Sequence, residues 1–207
     1  MSNQPFVPHD SELKPEFWEQ RYQAGTPRWD LGQPSPALVD WLQRSELLKP
    51  GKAIVLGCGR GHDALLFAES GFEVWGIDYA ASAIADAKAK AQQRQLSAHF
   101  LQRDIFALVP EFDNQFDYVI EHTCFCAIDP SLRSQYVDLV YQLLKPQGRL
   151  VAVFFTHNRA GGPPYGTTVA EIQTLFGQRF QICSIEPVKN SVPARHGEEH
   201  LAVLQRN

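Results

Sequence analysis

"KAIVLGCGRGHDALLFAESGFEVWGID", residues 52–78, decides the fold. It opens on KAIVLG, a buried-type apolar run with the length of a strand, and passes through Gly57, Gly59 and Gly61 into a helical pattern that ends at Gly71. A second β-like run, FEVWGID, follows at once. Strand, glycine turn, helix and strand in succession make a βαβ unit, and such units build parallel sheets.

The same alternation continues downstream. An Ala-rich helix is expected from Ala80 to about Arg94, a third strand in SAHFLQRD and a fourth in QFDYVIEH. DPSLRSQYVDLVYQLL reads as a helix with Asp129 as N-cap and Pro130 at its first position, stopping at KPQG before a fifth strand, RLVAVFF. TVAEIQTLFG gives one more helix, and FQICSIEPV and HLAVLQR the closing strands. The pattern predicts an α/β, Rossmann-like fold: a mostly parallel seven-stranded sheet with helices on both faces. Ligands of such sheets bind outside the C-terminal strand ends, so the loops after strands one to four are expected to carry the chemistry.

Composition narrows the function classes. The 207 residues suit one compact domain, and a net charge of −4 offers no general attraction to nucleic acid or anionic membrane. No apolar run is long enough to span a bilayer, and MSNQPFVPHDSELKPEF has neither the basic nor the apolar part of a secretory signal. Cys58, Cys124, Cys126 and Cys183 show no paired metal spacing, so they are expected to be reduced thiols in a cytoplasmic protein, with no metal site.

The glycine spacing is G-x-G-x-G, not the G-x-G-x-x-G of dinucleotide folds, which argues against a nicotinamide-dependent oxidoreductase. Asp78 ends the second strand, where a carboxylate can accept hydrogen bonds from both ribose hydroxyls or can cap a turn. Asp104, after the third strand, is placed either for an adenine amino group or as a solvated loop residue.

These residues resemble class I S-adenosylmethionine (SAM)-dependent methyltransferases. More narrowly, the chain is similar to the thiopurine S-methyltransferase superfamily and its thiol/halide methyltransferase branch. The likeness is carried by FWEQRYQAGTPRWDLGQPSPAL (17–38), GCGRGHDALLFAESGFEVWGID (57–78), CFCAIDPSLRSQY (124–136), GGPPY (161–165) and VPARHGEEHL (192–201). It implies SAM as cofactor and residues 1–45 as a helical lid over a SAM-binding domain of residues 46–207. Trp18 and Tyr22, four apart and so on one helical face, would line the methionine end together with Trp29. Gly57, Gly59, Asp78, Tyr79, Asp104, Ile105 and Glu121 would complete the cofactor site.

On the acceptor side the resemblance implies Tyr165 as a catalytic residue and Arg133 and Arg195 as substrate-binding ones; the residues themselves add His122 as a catalytic candidate and Phe125 as a substrate-binding one. His122 is either a proton acceptor for a thiol, which its ordinary pKa of ~6.5 suits, or a structural hydrogen-bonding residue. The branch more often has Trp at the Tyr22 position and an Asp-Tyr pair where this chain has Glu121 and His122. The expected activity is methyl transfer to a small soft nucleophile: a thiol, sulfide or halide. Alternatives are aromatic thiols, selenium or tellurium species, a nicotinamide-dependent oxidoreductase and a non-catalytic SAM sensor. The expected partner is a small-molecule acceptor, with neither nucleic acid nor membrane, on a monomer or weak dimer.

Overall fold

A computed structural model describes residues 14–25, 27–44 and 49–207. The expected boundary between residues 45 and 46, the first 13 residues of the expected lid and most of the stretch read for a signal lie outside the described residues.

Seven strands form one sheet: β1 (Lys52–Leu56), β2 (Glu73–Asp78), β3 (Ala98–Gln102), β4 (Phe116–His122), β5 (Leu144–Phe155), β6 (Phe180–Pro187) and β7 (Glu199–Arg206). Their order is β3-β2-β1-β4-β5-β7-β6. The first five run parallel, and β7 is antiparallel to both of its neighbours. This is the Rossmann-like sheet the alternation predicts, with the order reversing beside β1, at the β1–β4 pair. The helices are α1 (Pro15–Gln23), α2 (Pro36–Arg44), α3 (His62–Glu69), α4 (Ala81–Gln93), α5 (Arg133–Leu143) and α6 (Val169–Phe176).

Strand alternation divides the core into two layers. On β1, Ile54 and Leu56 face a layer that includes Tyr136, Val140 and Phe176 from α5 and α6. Ala53 and Val55 face the opposite layer, with Leu38, Leu65, Phe67 and Ile84 from α2, α3 and α4. Both faces are therefore covered by helices, and the chemistry is left to the strand ends.

Two elements differ from the sequence expectation. Asp129 caps a short 3₁₀ turn, Pro130–Leu132, through the Ser131 amide, and α5 begins only at Arg133. KPQG does not separate helix from strand: β5 already starts at Leu144, fully buried and paired with Phe116. The register shifts between Phe116 and Tyr118, so the glycine and proline serve an irregular strand start rather than a loop. Lys145 pins it with two contacts to the Asp117 carboxylate, at 2.8 and 2.9 Å. Among the described residues no helix is long and apolar enough to cross a membrane.

Candidate functional site

The turn after β1 sets the floor of the site. Gly59 has φ +51°, and a Cβ there would lie 2.8 Å from the Tyr22 hydroxyl; Gly61 has φ +79°, and its Cβ would lie 2.8 Å from that of Ala87. Only glycine permits this turn with the leader and α4 packed so closely. Asp78, at the end of β2, holds the turn from the other side. Its carboxylate accepts the Gly59 amide at 2.8 Å and the Ala80 amide at 2.9 Å. Burial raises its pKa, against those amide hydrogen bonds.

The leader folds over this floor. Proline at the start of α1 suits its first turn, and α1 puts Trp18 and Tyr22 on one side. The chain then turns back and brings Trp29 to both, at ring distances of 5.3 and 5.7 Å, edge to face. The Trp29 indole donates to the Tyr22 hydroxyl at 3.0 Å. Burial, then the Asp78 charge, raises the pKa of that hydroxyl, so it stays protonated.

Ionic contacts fasten the leader. Arg60, between two of the glycines, donates to the Asp30 carboxylate at 3.1 Å and the Gly25 carbonyl at 2.9 Å, and it meets Asp86 of α4 at 3.0 Å. His62 reaches the second Asp30 oxygen at 3.3 Å. The His62 hydrogen bond is the main cause that lowers the Asp30 carboxyl to about 2, with the Gly32 amide and the Arg60 charge adding to it against burial. Glu19 of α1 also accepts the Ser82 amide of α4 at 3.0 Å.

Leader, glycine turn and strand ends together enclose a cavity of about 690 Å³. Trp18, Tyr22, Trp29, Gly57, Gly59, Asp78, Tyr79, Asp104, Ile105, His122 and Arg195 of the expected site all line it. Asp104 caps the 3₁₀ turn Ile105–Ala107 by accepting the Phe106 amide, and its hydrogen bond to Tyr79 helps burial to keep that phenol protonated. Cys126, Ile128, Leu132 and Phe155 also line the cavity. All four cysteines are free. Burial pushes Cys126 up to about 12 and raises Cys58 and Cys124 well above the ordinary thiol range, so these three are thiols, not thiolates.

Four expected residues do not line the cavity, and each has a physical reason. Glu121 is 1% exposed. One of its carboxylate oxygens accepts the Cys124 and Phe125 amides at 3.1 and 3.0 Å, and the other accepts the Tyr136 hydroxyl at 2.9 Å. Burial lifts its pKa to about 7. It braces the turn after β4. Phe125 sits in the core between Tyr136, Phe154 and Phe176. Arg133 is neither solvent-facing nor in the cavity: it is buried over the Phe125 ring, donating to the Gly166 carbonyl at 2.9 Å and pairing with Glu171. Tyr165 is buried with its amide donating to the Cys126 carbonyl at 2.6 Å, and Pro163 and Pro164 of the same loop line the cavity in its place.

Sequence reasoning missed a linked set at the mouth. Asp63 of α3 contacts His122 Nδ1 at 2.8 Å, and Arg195 contacts His122 Nε2 at 2.9 Å. Arg195 also donates to the Trp29 carbonyl at 2.9 Å and meets Glu199 at 3.3 Å. Burial alone would raise Asp63, but the His122 contact and the Ser35 amide hold it below the ordinary carboxylate range. Asp30 and Arg60 were missed as well. The signal available was their charge, in RWDLG and CGRGHD, flanking segments that had to meet if the leader closed on the glycines.

Comparison with known proteins places this geometry. The thiopurine S-methyltransferase family matches residues 13–207. The chain is 33% identical over 195 residues to a probable thiol methyltransferase 2 of Arabidopsis thaliana, covering 92% of this chain and 85% of that protein. It is 34% identical over 190 residues to thiocyanate methyltransferase 1 of the same plant, covering 89% of this chain and 82% of that one. Among solved structures it superposes, with a TM-score of 0.79 and 18% identity, on a 1,6-didemethyltoxoflavin-N1-methyltransferase of Burkholderia thailandensis, over 100% of this chain and 93% of that one. At that identity the likeness is one of fold.

Proposed function

Given that the chain belongs to the thiopurine S-methyltransferase family, we propose that its cavity methylates a small soft nucleophile: a thiol, sulfide, thiocyanate or halide. The enzyme is a SAM-dependent methyltransferase. Bound SAM supplies a methyl group on a sulfonium centre, an electrophile that a nucleophile can displace in line.

The donor set fits that cofactor. A carboxylate at the head of β2 suits ribose hydroxyls, and Asp104 beside Tyr79 and Ile105 suits a purine. The faces of Trp18, Tyr22 and Trp29 attract a cation without offering it a nucleophile. Residues 14–25 and 27–44 act as the described part of the lid, ordering the acceptor and excluding water.

One observation carries the acceptor assignment: Cys126, Ile128, Leu132 and Phe155 line the cavity together with Arg195 and His122. Apolar, polarisable side chains favour a weakly hydrated nucleophile. The thiol and thiocyanate named for the two plant relatives are of that kind. His122 and Arg195 face the acceptor, whereas Glu121, Phe125 and Arg133 act by bracing the wall and the loop behind it. A reducing, cytoplasmic setting fits the free thiols at the site. Calorimetric titration with SAM, then S-adenosylhomocysteine formation with each acceptor in turn, tests the assignment. SAM binding without turnover on any of them refutes it.

A further inference from the structure

Asp63 is a carboxylate in the first turn of α3 and lines the cavity. One oxygen accepts the Ser35 amide at 2.7 Å, and the other lies 2.8 Å from His122 Nδ1. On the far side of the ring, Nε2 lies 2.9 Å from an Arg195 nitrogen. A guanidinium has donors only, so Nε2 must accept there and the ring proton must sit on Nδ1, donated to Asp63. The contacts thus run in one direction, from Arg195 through neutral His122 to Asp63.

Formal charges around the ring are Asp63 and Glu199 negative and Arg195 positive, a net of −1. Glu121, one residue back on β4, and His62, facing Asp63, are further titratable groups acting on the pair. Arg195 has somewhere to go when a proton arrives, since Glu199 already lies 3.3 Å from the same nitrogen. His122 and Arg195 both line the cavity.

We propose that Asp63 is the positioning residue for deprotonating thiol acceptors: it holds the ring proton on Nδ1, so that Nε2 receives the acceptor's proton as Arg195 shifts to Glu199. The inference rests on the methyltransferase reading. In the step, the thiol S–H bond breaks and its proton goes to Nε2, while the sulfur electron pair forms the bond to the transferred methyl. The bond from that methyl to the donor sulfur breaks with its electrons, and the imidazolium, paired with Asp63, later returns its proton to water. Iodide and thiocyanate carry no proton and do not need the pair. One carboxylate therefore separates two acceptor classes.

Asp63→Asn tests this sharply. The Ser35 amide is a donor and claims the new amide's oxygen, which turns its NH₂ toward Nδ1 and forces the proton onto Nε2. The ratio of ethanethiol to iodide methylation at pH 7 should fall on the order of 100-fold, the usual contribution of a general base. An unchanged ratio, or equal losses on both acceptors, overturns the proposal. Long-range ¹⁵N–¹H NMR of the wild-type protein, with His122 assigned by His122→Gln, reads the tautomer without turnover and without the variant having to fold. It should show Nδ1–H, and an Nε2–H or doubly protonated ring overturns the proposal while leaving the methyltransferase reading intact. Wild-type protein silent on both acceptors fails that reading, and this inference with it.

Discussion

Asp30→Asn should loosen the leader and weaken cofactor binding together. The carboxylate contacts Arg60 at 3.1 Å, His62 at 3.3 Å and the Gly32 amide at 2.8 Å, and its pKa falls from 3.8 to about 2. At ~1.36 kcal/mol per unit, that shift is worth about 2 kcal/mol. The Gly32 contact is internal to the leader, and the Arg60 side chain is 21% exposed, so about 1–2 kcal/mol acts on docking after screening. Because the folded pKa is depressed, the contribution is complete above pH 3.8 and fades as the pH falls toward 2; at pH 7 it is fully present. Losing it should shift docking by about 5–30-fold at pH 7.

Hydrogen exchange at the Ser35 amide, which bonds to Asp63 across the seam, reports the docking directly. It should be faster in the variant, and SAM affinity should fall by up to the same factor. Faster exchange with unchanged affinity would refute the idea that the leader is a cofactor lid. Unchanged exchange would refute the latch.

Asp78→Ala removes a buried acceptor from the head of β2, and calorimetry should show SAM binding weakened by roughly 1.5–3 kcal/mol; an unaltered Kd would exclude the ribose role. Glu121→Gln keeps all three hydrogen bonds, because the Tyr136 hydroxyl can turn to accept. The raised pKa of Glu121 means that the folded state binds the extra proton, so its penalty is absent below pH 4.5 and complete above about 7. Urea unfolding should therefore show the glutamine variant more stable by about 2–3 kcal/mol at pH 8 and indistinguishable at pH 4.5; equal stability at pH 8 would count against a buried charge. Gly59→Ala places a Cβ 2.8 Å from the Tyr22 hydroxyl, so it should displace Tyr22 and weaken SAM binding, with partial recovery on adding Tyr22→Phe. No recovery would place the cost in the backbone alone.

The sheet was legible because its strands and helices differ in period and its glycine turn is local. Part of the candidate site was legible for the same reason: Gly57, Gly59, Asp78 and Asp104 stand at strand ends, and backbone topology alone carries them to one cavity. The rest was harder. Glu121 and His122 are neighbours on one strand, and alternation sends one into the core against Tyr136 and the other to the cavity. Resemblance named Glu121 for the cofactor and chemistry named His122, without saying which faced where. Arg133 and Phe125 follow β4 closely, yet the 3₁₀ turns after the strand rotate them inward, which no periodicity announces. Asp63 and His122 are 59 residues apart, and Arg60 and Asp30 are 30 apart, so each pair exists only once the fold is closed. KPQG misled because proline and glycine mark loops in general, whereas here buried Leu144 had already joined the sheet.

The central claim is methyl transfer from SAM to a small soft nucleophile. Headspace gas chromatography of purified protein with SAM, offered ethanethiol, sulfide, thiocyanate and iodide in parallel, tests it most directly. The account predicts methylated product from at least one of them, with S-adenosylhomocysteine formed in equal amount. SAM bound at the site with no methylated product from any of the four would contradict it.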